Sequence, residues 1–148
     1  MSFAKNYKST VIPCLSYKNA PTAIEWLCLA FGFEKQAVYN GPDGSIVHAQ
    51  LSFGNGMLMV SPIVEGTPYS SLIRQPSDIG AETQSPCLIV SDCDAVYATA
   101  KAAGADIVID IVLDIQDQDY GGRAFTCRDP ERHLWNVGSY SPWKPVSA

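Results

Sequence analysis

The order of apolar and polar positions in the first half of the chain predicts one helix among four strands. An apolar strand is expected over residues 10–17, and Asn19 precedes Pro21 in the arrangement typical of a helix N-terminus. Apolar residues then recur at helical spacing as far as Phe31, and Gly32 is the residue type that commonly ends a helix. Three further strands are predicted between glycine-containing turns: residues 33–40, 45–53 and 57–62.

The second half of the chain repeats this order of elements. A strand is expected over residues 85–91, and Ser91 or Asp92 caps a helix that runs to about residue 103, ahead of Gly104. Three more strands are predicted, the last two joined by a hairpin around the sequence RDPER: residues 106–113, 121–128 and 133–139.

Both halves begin with a strand that contains the sequence PCL, which indicates an internal repeat. We therefore expect one α+β domain over residues 1–148, built from two tandem βαβββ units. The first unit is predicted over residues 9–62 and the second over residues 85–140. Residues 63–84 form the connector, which is long for a plain loop and is expected to pack on a surface.

Composition and charge exclude several classes of partner. Of the 148 residues, 47% are hydrophobic, which is enough for a packed core, and the net charge is −5. The basic residues are scattered, and this argues against nucleic acid and anionic membranes as partners. No apolar stretch approaches the roughly 18 residues of a membrane span, and the N-terminus lacks the apolar segment of a signal peptide. A cytoplasmic location is therefore expected.

The five cysteines fit this expectation, because their number is odd and no pair forms a CxxC motif. Neither a disulfide framework nor a zinc knuckle is indicated. We interpret most of them as small buried apolar residues. They are Cys14, Cys28, Cys87, Cys93 and Cys127.

The stretches FGF, HAQLSFGNGMLMV and DYGGRAFTCRDPERHLWNVGSYSPW, placed as they are, resemble the glyoxalase/bleomycin-resistance family, also called vicinal oxygen chelate proteins. The resemblance covers about residues 9 to 143. It implies that the sheet of each βαβββ unit curls into part of a cup, with the helix on the outer side. It also implies a homodimer and a small-molecule site inside the cup.

The same resemblance implies four metal-ligand places, two in each half. They fall on Pro13, Met59, Pro86 and Asn136 in this chain. Proline has no side-chain donor atom, a thioether suits copper, and a neutral amide is a poor single anchor for a divalent ion. A shift of one residue would offer at most two cysteines. We therefore predict no metal ion and no cofactor, and reject the metal-dependent enzymes of the family.

Strand alternation predicts which side chains line the cup. His48, Gln50, Met57, Met59 and Asn136 are expected on the cup side. Trp135 is expected in the core beneath the second helix, with His133 exposed beside the hairpin turn.

Tyr120 and Arg123 occupy the stretch that, by the resemblance, lies at the mouth of the cup. Arg123 is either a clamp for an anionic group of the ligand or the partner of an acidic surface residue.

Three functions fit this set of residues. The first is a metal-independent binding protein that sequesters an uncharged or aromatic organic ligand, since Met side chains adapt to irregular shapes and a few polar groups set orientation. The alternative is a metal-independent lyase, isomerase or hydrolase with His48 as general base. The third is a structural or regulatory dimer. Whether the protein is an enzyme stays open at this point.

Overall fold

A computed structural model describes residues 4, 8–112 and 121–144 of the protein. The chain divides into two compact units, Met1–Gln75 and Pro76–Ala148. Unit 1 contains one α-helix and four strands, and a short 3₁₀ turn, Ser70–Leu72, follows them. The elements of unit 1 are β1 (Cys14–Tyr17), α1 (Ala20–Phe31), β2 (Glu34–Asn40), β3 (Ile46–Phe53) and β4 (Gly56–Pro62).

The four strands of unit 1 form sheet 1, in the order β1-β4-β3-β2. β1 pairs with β4 in parallel, and the other two pairs are antiparallel. The ends of α1 follow from local chemistry. The side chain of Asn19 accepts a hydrogen bond of 3.2 Å from the backbone N–H of Thr22. Gly32 ends the helix with a φ of 84°, which a residue with a Cβ rarely adopts.

Unit 2 has the same order of elements after a one-turn helix. Asp92 caps its longer helix by accepting a 3.0 Å hydrogen bond from the N–H of Ala95, which decides between the two predicted caps. The elements are α2 (Pro76–Ile79), β5 (Cys87–Ile89), α3 (Cys93–Ala102), β6 (Asp106–Val112), β7 (Ala124–Arg128) and β8 (Leu134–Gly138). Sheet 2 has the order β5-β8-β7-β6, again with one parallel pair, β5 with β8.

The α+β fold of two tandem βαβββ units is confirmed, as two open four-stranded mixed sheets. The first strand of each unit is shorter than predicted. The predicted connector, residues 63–84, contains the 3₁₀ turn and α2, and the boundary between the units falls within it.

Each unit buries the helix side of its own sheet. In unit 1 the fully buried side chains include Leu27 of α1 and Ala49, Leu51 and Val60 of the sheet. In unit 2 Trp135 is 0% exposed, which confirms its predicted place in the core. At about 25 cal/mol per Å² of apolar surface, this burial is the main favourable contribution to folding.

The cysteines divide by burial, and all five are free thiols. Cys93 and Cys127 are buried as interpreted, and burial raises the pKa of Cys127 to about 12. Cys14 and Cys87 are exposed and Cys28 is half-buried, so the interpretation of most cysteines as buried apolar residues is wrong.

None of the helices in the described part of the chain has both the length and the apolar character that a membrane crossing requires.

Candidate functional site

Each sheet has one face that packs on its helix and one face that does not. We call the second the helix-free face. On β3 and β4 the buried residues alternate with half-buried ones, as a pleated strand with one covered face requires. The half-buried set on the helix-free face of sheet 1 includes His48, Gln50, Met57 and Met59. Sheet 1 therefore brings together four of the predicted site residues.

The backbone register orders these side chains into rows across sheet 1. Gln50 lies opposite Met59, and Met59 lies opposite Cys14. In the neighbouring row Tyr39 lies opposite His48, and their rings stack with centroids 5.8 Å apart and planes 30° apart. The face thus combines a thioether, an amide and an aromatic pair.

The amide of Gln50 is held in place by a neighbour that the sequence pattern did not suggest. Its Nε2 donates a 2.7 Å hydrogen bond to Oε1 of Gln36. Gln36 lies at an irregularity in β2, between Lys35 and Ala37, where the register with β3 shifts. A bulge of this kind turns an extra side chain toward the site. The Oε1 atom of Gln50 remains as an acceptor.

The helix-free face of sheet 2 carries a polar network centred on Asn136. The hydroxyl of Thr126 donates a 2.8 Å hydrogen bond to Oδ1 of Asn136. Nδ2 of Asn136 donates a 2.7 Å hydrogen bond to Oγ of Ser85. In the backbone register Asn136 lies between Thr126 on β7 and Cys87 on β5. Both ends of the amide are therefore fixed, which orients its remaining N–H.

The strand register also changes which residues occupy two of the four places that the family resemblance assigned to metal ligands. Met59 and Asn136 keep their places, but the residues opposite them are Cys14 and Cys87. Pro13 and Pro86 lie one residue earlier and accept backbone hydrogen bonds of 3.0 Å from the N–H groups of Met59 and Asn136. The assignment to the two prolines is therefore corrected by one residue.

The side chains at the corrected places do not fit a zinc, nickel or iron site. Unit 1 supplies a thiol and a thioether, and unit 2 supplies a thiol and an amide that already makes two hydrogen bonds. Although Cys87 as a residue is exposed, partial desolvation of its thiol raises the pKa, which disfavours the thiolate form that ligates metals. Among the described residues, no three His, Cys, Asp or Glu side chains are grouped closely enough to hold a metal ion.

The remaining predicted site residues lie elsewhere. Nε of Arg123 is 2.9 Å from Oδ2 of Asp94, in the first turn of α3, so its guanidinium is on the helix side of sheet 2. Its partner is thus a helix carboxylate, and it is not brought together with Asn136. Tyr120 falls outside the residues that the structure describes.

Two buried groups beside the last hairpin were not predicted. His133 is 5% exposed, so the expectation of an exposed histidine is wrong, and its Nδ1 lies 3.0 Å from Oε2 of Glu82. Asp129, 2% exposed, accepts hydrogen bonds from the backbone N–H groups of Glu131 and His133 and from Nε1 of Trp135. The Asp129-Pro130 pair indicates the turn, but no local sequence pattern predicts that the side chains of Asp129 and His133 are buried.

Comparisons with known proteins agree with this architecture. A family model described as the Glyoxalase/Bleomycin resistance protein/Dioxygenase superfamily matches residues 11–137. An uncharacterized protein of Mycobacterium tuberculosis is 28% identical over 137 residues, which cover 93% of this chain and 78% of that protein.

Two solved structures extend the likeness. TioX from Micromonospora sp. ML1 is 32% identical, with a TM-score of 0.67 and coverage of 90% of this chain and 99% of that chain. FosX from Listeria monocytogenes, in complex with Mn(II) and a dihydroxypropylphosphonic acid, is 13% identical with a TM-score of 0.63. It covers 96% of this chain and 94% of its own, and this likeness concerns the fold alone.

Proposed function

Since the chain belongs to the glyoxalase/bleomycin resistance protein/dioxygenase superfamily, we propose that it binds a small, uncharged or aromatic organic molecule without a metal ion. One observation carries the proposal. At the places where the family resemblance implies metal ligands, the helix-free face of sheet 1 carries Cys14 and Met59, and that of sheet 2 carries Cys87 and Asn136. Such a lining recognises shape and hydrogen-bonding pattern better than it holds a divalent cation.

The polar network of sheet 2 suits a ligand that carries a carbonyl or other uncharged acceptor. The hydrogen bonds run from Thr126 to Asn136 to Ser85, so the hydroxyl hydrogen of Ser85 and the second amide hydrogen of Asn136 are left as donors. Hydrogen bonds in such a chain polarise one another, which strengthens the terminal donor. This patch therefore donates to a ligand more readily than it accepts from one.

The helix-free face of sheet 1 suits a flat apolar surface. Met57 and Met59 are half-buried, and thioether side chains adapt to irregular or aromatic shapes. The stacked rings of Tyr39 and His48 add a π surface beside them. Gln36 and Gln50 supply a fixed amide pair that sets orientation.

Catalysis by His48 has less support than binding. Within the part of the chain that the structure describes, no carboxylate or hydroxyl hydrogen-bonds the His48 ring, so no neighbouring side chain there fixes its tautomer as a general base requires. The ring instead stacks on Tyr39. We therefore place binding ahead of the general-base enzyme.

A thermal-shift screen tests the proposal. The screen uses uncharged planar aromatic amides and lactams in a buffer that contains EDTA. A bound member is expected to raise the melting temperature with a saturable concentration dependence, because ligand binding stabilises the folded state by mass action. Asn136→Leu should weaken the binding of that compound about tenfold, the value of one neutral hydrogen bond.

Thr99→Val provides the matched control, since the hydroxyl of Thr99 donates to backbone carbonyls within α3, away from the helix-free face. The proposal fails if no compound in the screen binds, or if stabilisation requires added zinc, nickel or manganese. It also fails if Asn136→Leu and Thr99→Val bind the compound equally well.

A further inference from the structure

A pair of arginines lies beside the polar network of unit 2, outside the proposed ligand contacts. Nη1 of Arg132 is 2.7 Å from Oδ2 of Asp106, and Nη1 of Arg128 is 3.3 Å from the same oxygen. Two guanidiniums thus share one carboxylate oxygen. Hydrogen bonding to Arg132, with a further contribution from Arg128, lowers the pKa of Asp106, as expected for a carboxylate beside two cations.

This cluster carries more positive than negative charge. Each guanidinium has five N–H donors, and Asp106 takes one donor from each. The two arginines and Asp106 leave one positive charge, which the carboxylate of Glu82 in the adjoining pocket balances in number. The attraction for an anion therefore rests on the unused guanidinium donors.

The backbone at Arg132 is in a conformation that its residue type disfavours. Its φ is 76°, and among the described residues it is the non-glycine residue with positive φ. A side chain with a Cβ is strained in this region, where glycine is favoured. The turn is closed by hydrogen bonds between the backbones of Asp129 and both Arg132 and His133. The strained turn fixes the backbone from which the Arg132 side chain reaches Asp106.

A small pocket separates the two arginines from the segment that follows α2. Its volume is about 50 Å³, and its lining includes Pro76, Gly80, Glu82, Arg128, Arg132 and Leu134. By the usual measure a water needs roughly 10–15 Å³ of such volume, so the pocket has room for a few waters or one small oxyanion. Every lining residue belongs to unit 2.

One negative group also borders this pocket. Oε2 of Glu82 is occupied by Nδ1 of the buried His133, at 3.0 Å. One oxygen of this carboxylate is held by His133, and the guanidinium donors of Arg128 and Arg132 are the groups of the pocket that suit an anion.

We propose that Arg128 and Arg132 form an anion subsite that takes a small oxyanion, phosphate or sulfate, free or as the terminal group of a larger molecule. The inference does not rest on the proposed function. The subsite nevertheless adjoins the ligand face, because Arg128 and Leu134 lie opposite each other two pairs along from Thr126 and Asn136, which is the next pair on the same face. The Arg128–Asp106 contact is exposed and long, so an anion displaces it at little cost.

The test is a titration of the full chain with inorganic phosphate, at constant ionic strength held with chloride and followed by calorimetry and thermal shift. Wild type should bind phosphate with saturation. Arg132→Gly should lose at least about tenfold in affinity, the value of one charge-assisted hydrogen bond, without a lower melting temperature, because glycine accepts the φ of this turn. Arg128→Gln should lose a similar factor.

Two further variants make the test specific. Arg74→Gln changes the net charge equally, but Arg74 lies in unit 1 and donates to the backbone carbonyl of Ile73, so this variant should bind as wild type does. Asp106→Asn removes the carboxylate that competes for both guanidiniums and should bind phosphate several-fold more tightly. The subsite is refuted if wild type shows no saturable binding, if Arg74→Gln loses as much as Arg132→Gly, or if Asp106→Asn binds more weakly.

Phenyl phosphate distinguishes the two sources of the anion. Tighter binding of phenyl phosphate than of inorganic phosphate identifies the group as the terminus of an organic ligand. Equal or weaker binding identifies a free anion. Either result supports the subsite, provided that Arg132→Gly weakens both compounds.

Discussion

The helix-free faces of the two sheets share a backbone and differ in chemistry. Both sheets have the same strand order and one parallel pair, so each residue in one face has a counterpart in the other. The central row of sheet 1 reads Cys14, Met59, Gln50, and that of sheet 2 reads Cys87, Asn136, Thr126. Both rows begin with a cysteine thiol. The thioether of Met59 in sheet 1 corresponds to the amide of Asn136 in sheet 2.

The next row makes the contrast sharper. In sheet 1 it contains Met57, Ser52 and Glu34, and the counterparts in sheet 2 are Leu134, Arg128 and Asp106. In this row sheet 2 pairs Arg128 with Asp106, whereas sheet 1 has the uncharged Ser52 opposite Glu34. The shared strand order therefore sets the positions of the side chains on each face. The residue types at equivalent positions determine which ligand chemistry each face can bind.

The largest expected effect concerns the hairpins, which differ most between the units. Asp129→Ala should lower the free energy of unfolding by about 4 kcal/mol, because it strands the N–H groups of Glu131 and His133 and the indole N–H of Trp135. Urea denaturation measures the loss. The matched change in the two-residue turn of unit 1, Asn55→Ala, should cost less than about 1 kcal/mol. Equal losses in the free energy of unfolding for the two variants would show that the hydrogen bonds of Asp129 do not stabilise its hairpin.

A second experiment separates the two faces of one strand. Leu58 is 2% exposed on the helix side of β4, and Met59 is half-buried on the other side. Leu58→Ala should cost about 3 kcal/mol through lost burial and a cavity, and Met59→Ala about 1 kcal/mol or less. Chemical denaturation of both variants gives the comparison. A larger loss for Met59→Ala would mean that the face assigned to ligand is part of the core.

The smallest expected effect is pH-dependent and belongs to the charged row. The pKa of Asp106 is lowered in the folded protein, so its stabilising effect is complete above the ordinary carboxyl value of 3.8 and is lost as the pH falls through the folded-state value. The stability difference between wild type and Asp106→Asn should therefore shrink under acid. A difference for Asp106→Asn that grows as the pH falls would contradict this assignment.

Much of the fold followed from local signals. Helical spacing, the caps Asn19 and Asp92, and the terminal Gly32 are properties of adjacent residues, and the structure confirms the elements they delimit. The family resemblance is also confirmed. The alternation of side chains along a strand, which has a period of two, predicted that Met59 and Asn136 lie on the helix-free faces.

The missed features depend on contacts between distant parts of the chain. His133 is buried because Glu82, 51 residues earlier in the predicted connector, supplies its partner. Arg123 pairs with Asp94 of a helix, which strand alternation alone does not disclose. The one-residue correction from the prolines to Cys14 and Cys87 required the strand register. The homodimer, the cytoplasmic location and the role of Tyr120 stay predictions.

Metal analysis of the purified protein is the most direct test of the central claim, that the residues at the former ligand places recognise a ligand without a metal ion. The protein is incubated with zinc, nickel and manganese, passed through a desalting column and measured by elemental mass spectrometry. We expect substoichiometric metal for wild type and for Asn136→Leu alike. Stoichiometric retention of one metal by wild type, abolished in Asn136→Leu or Cys87→Ser, would contradict the account.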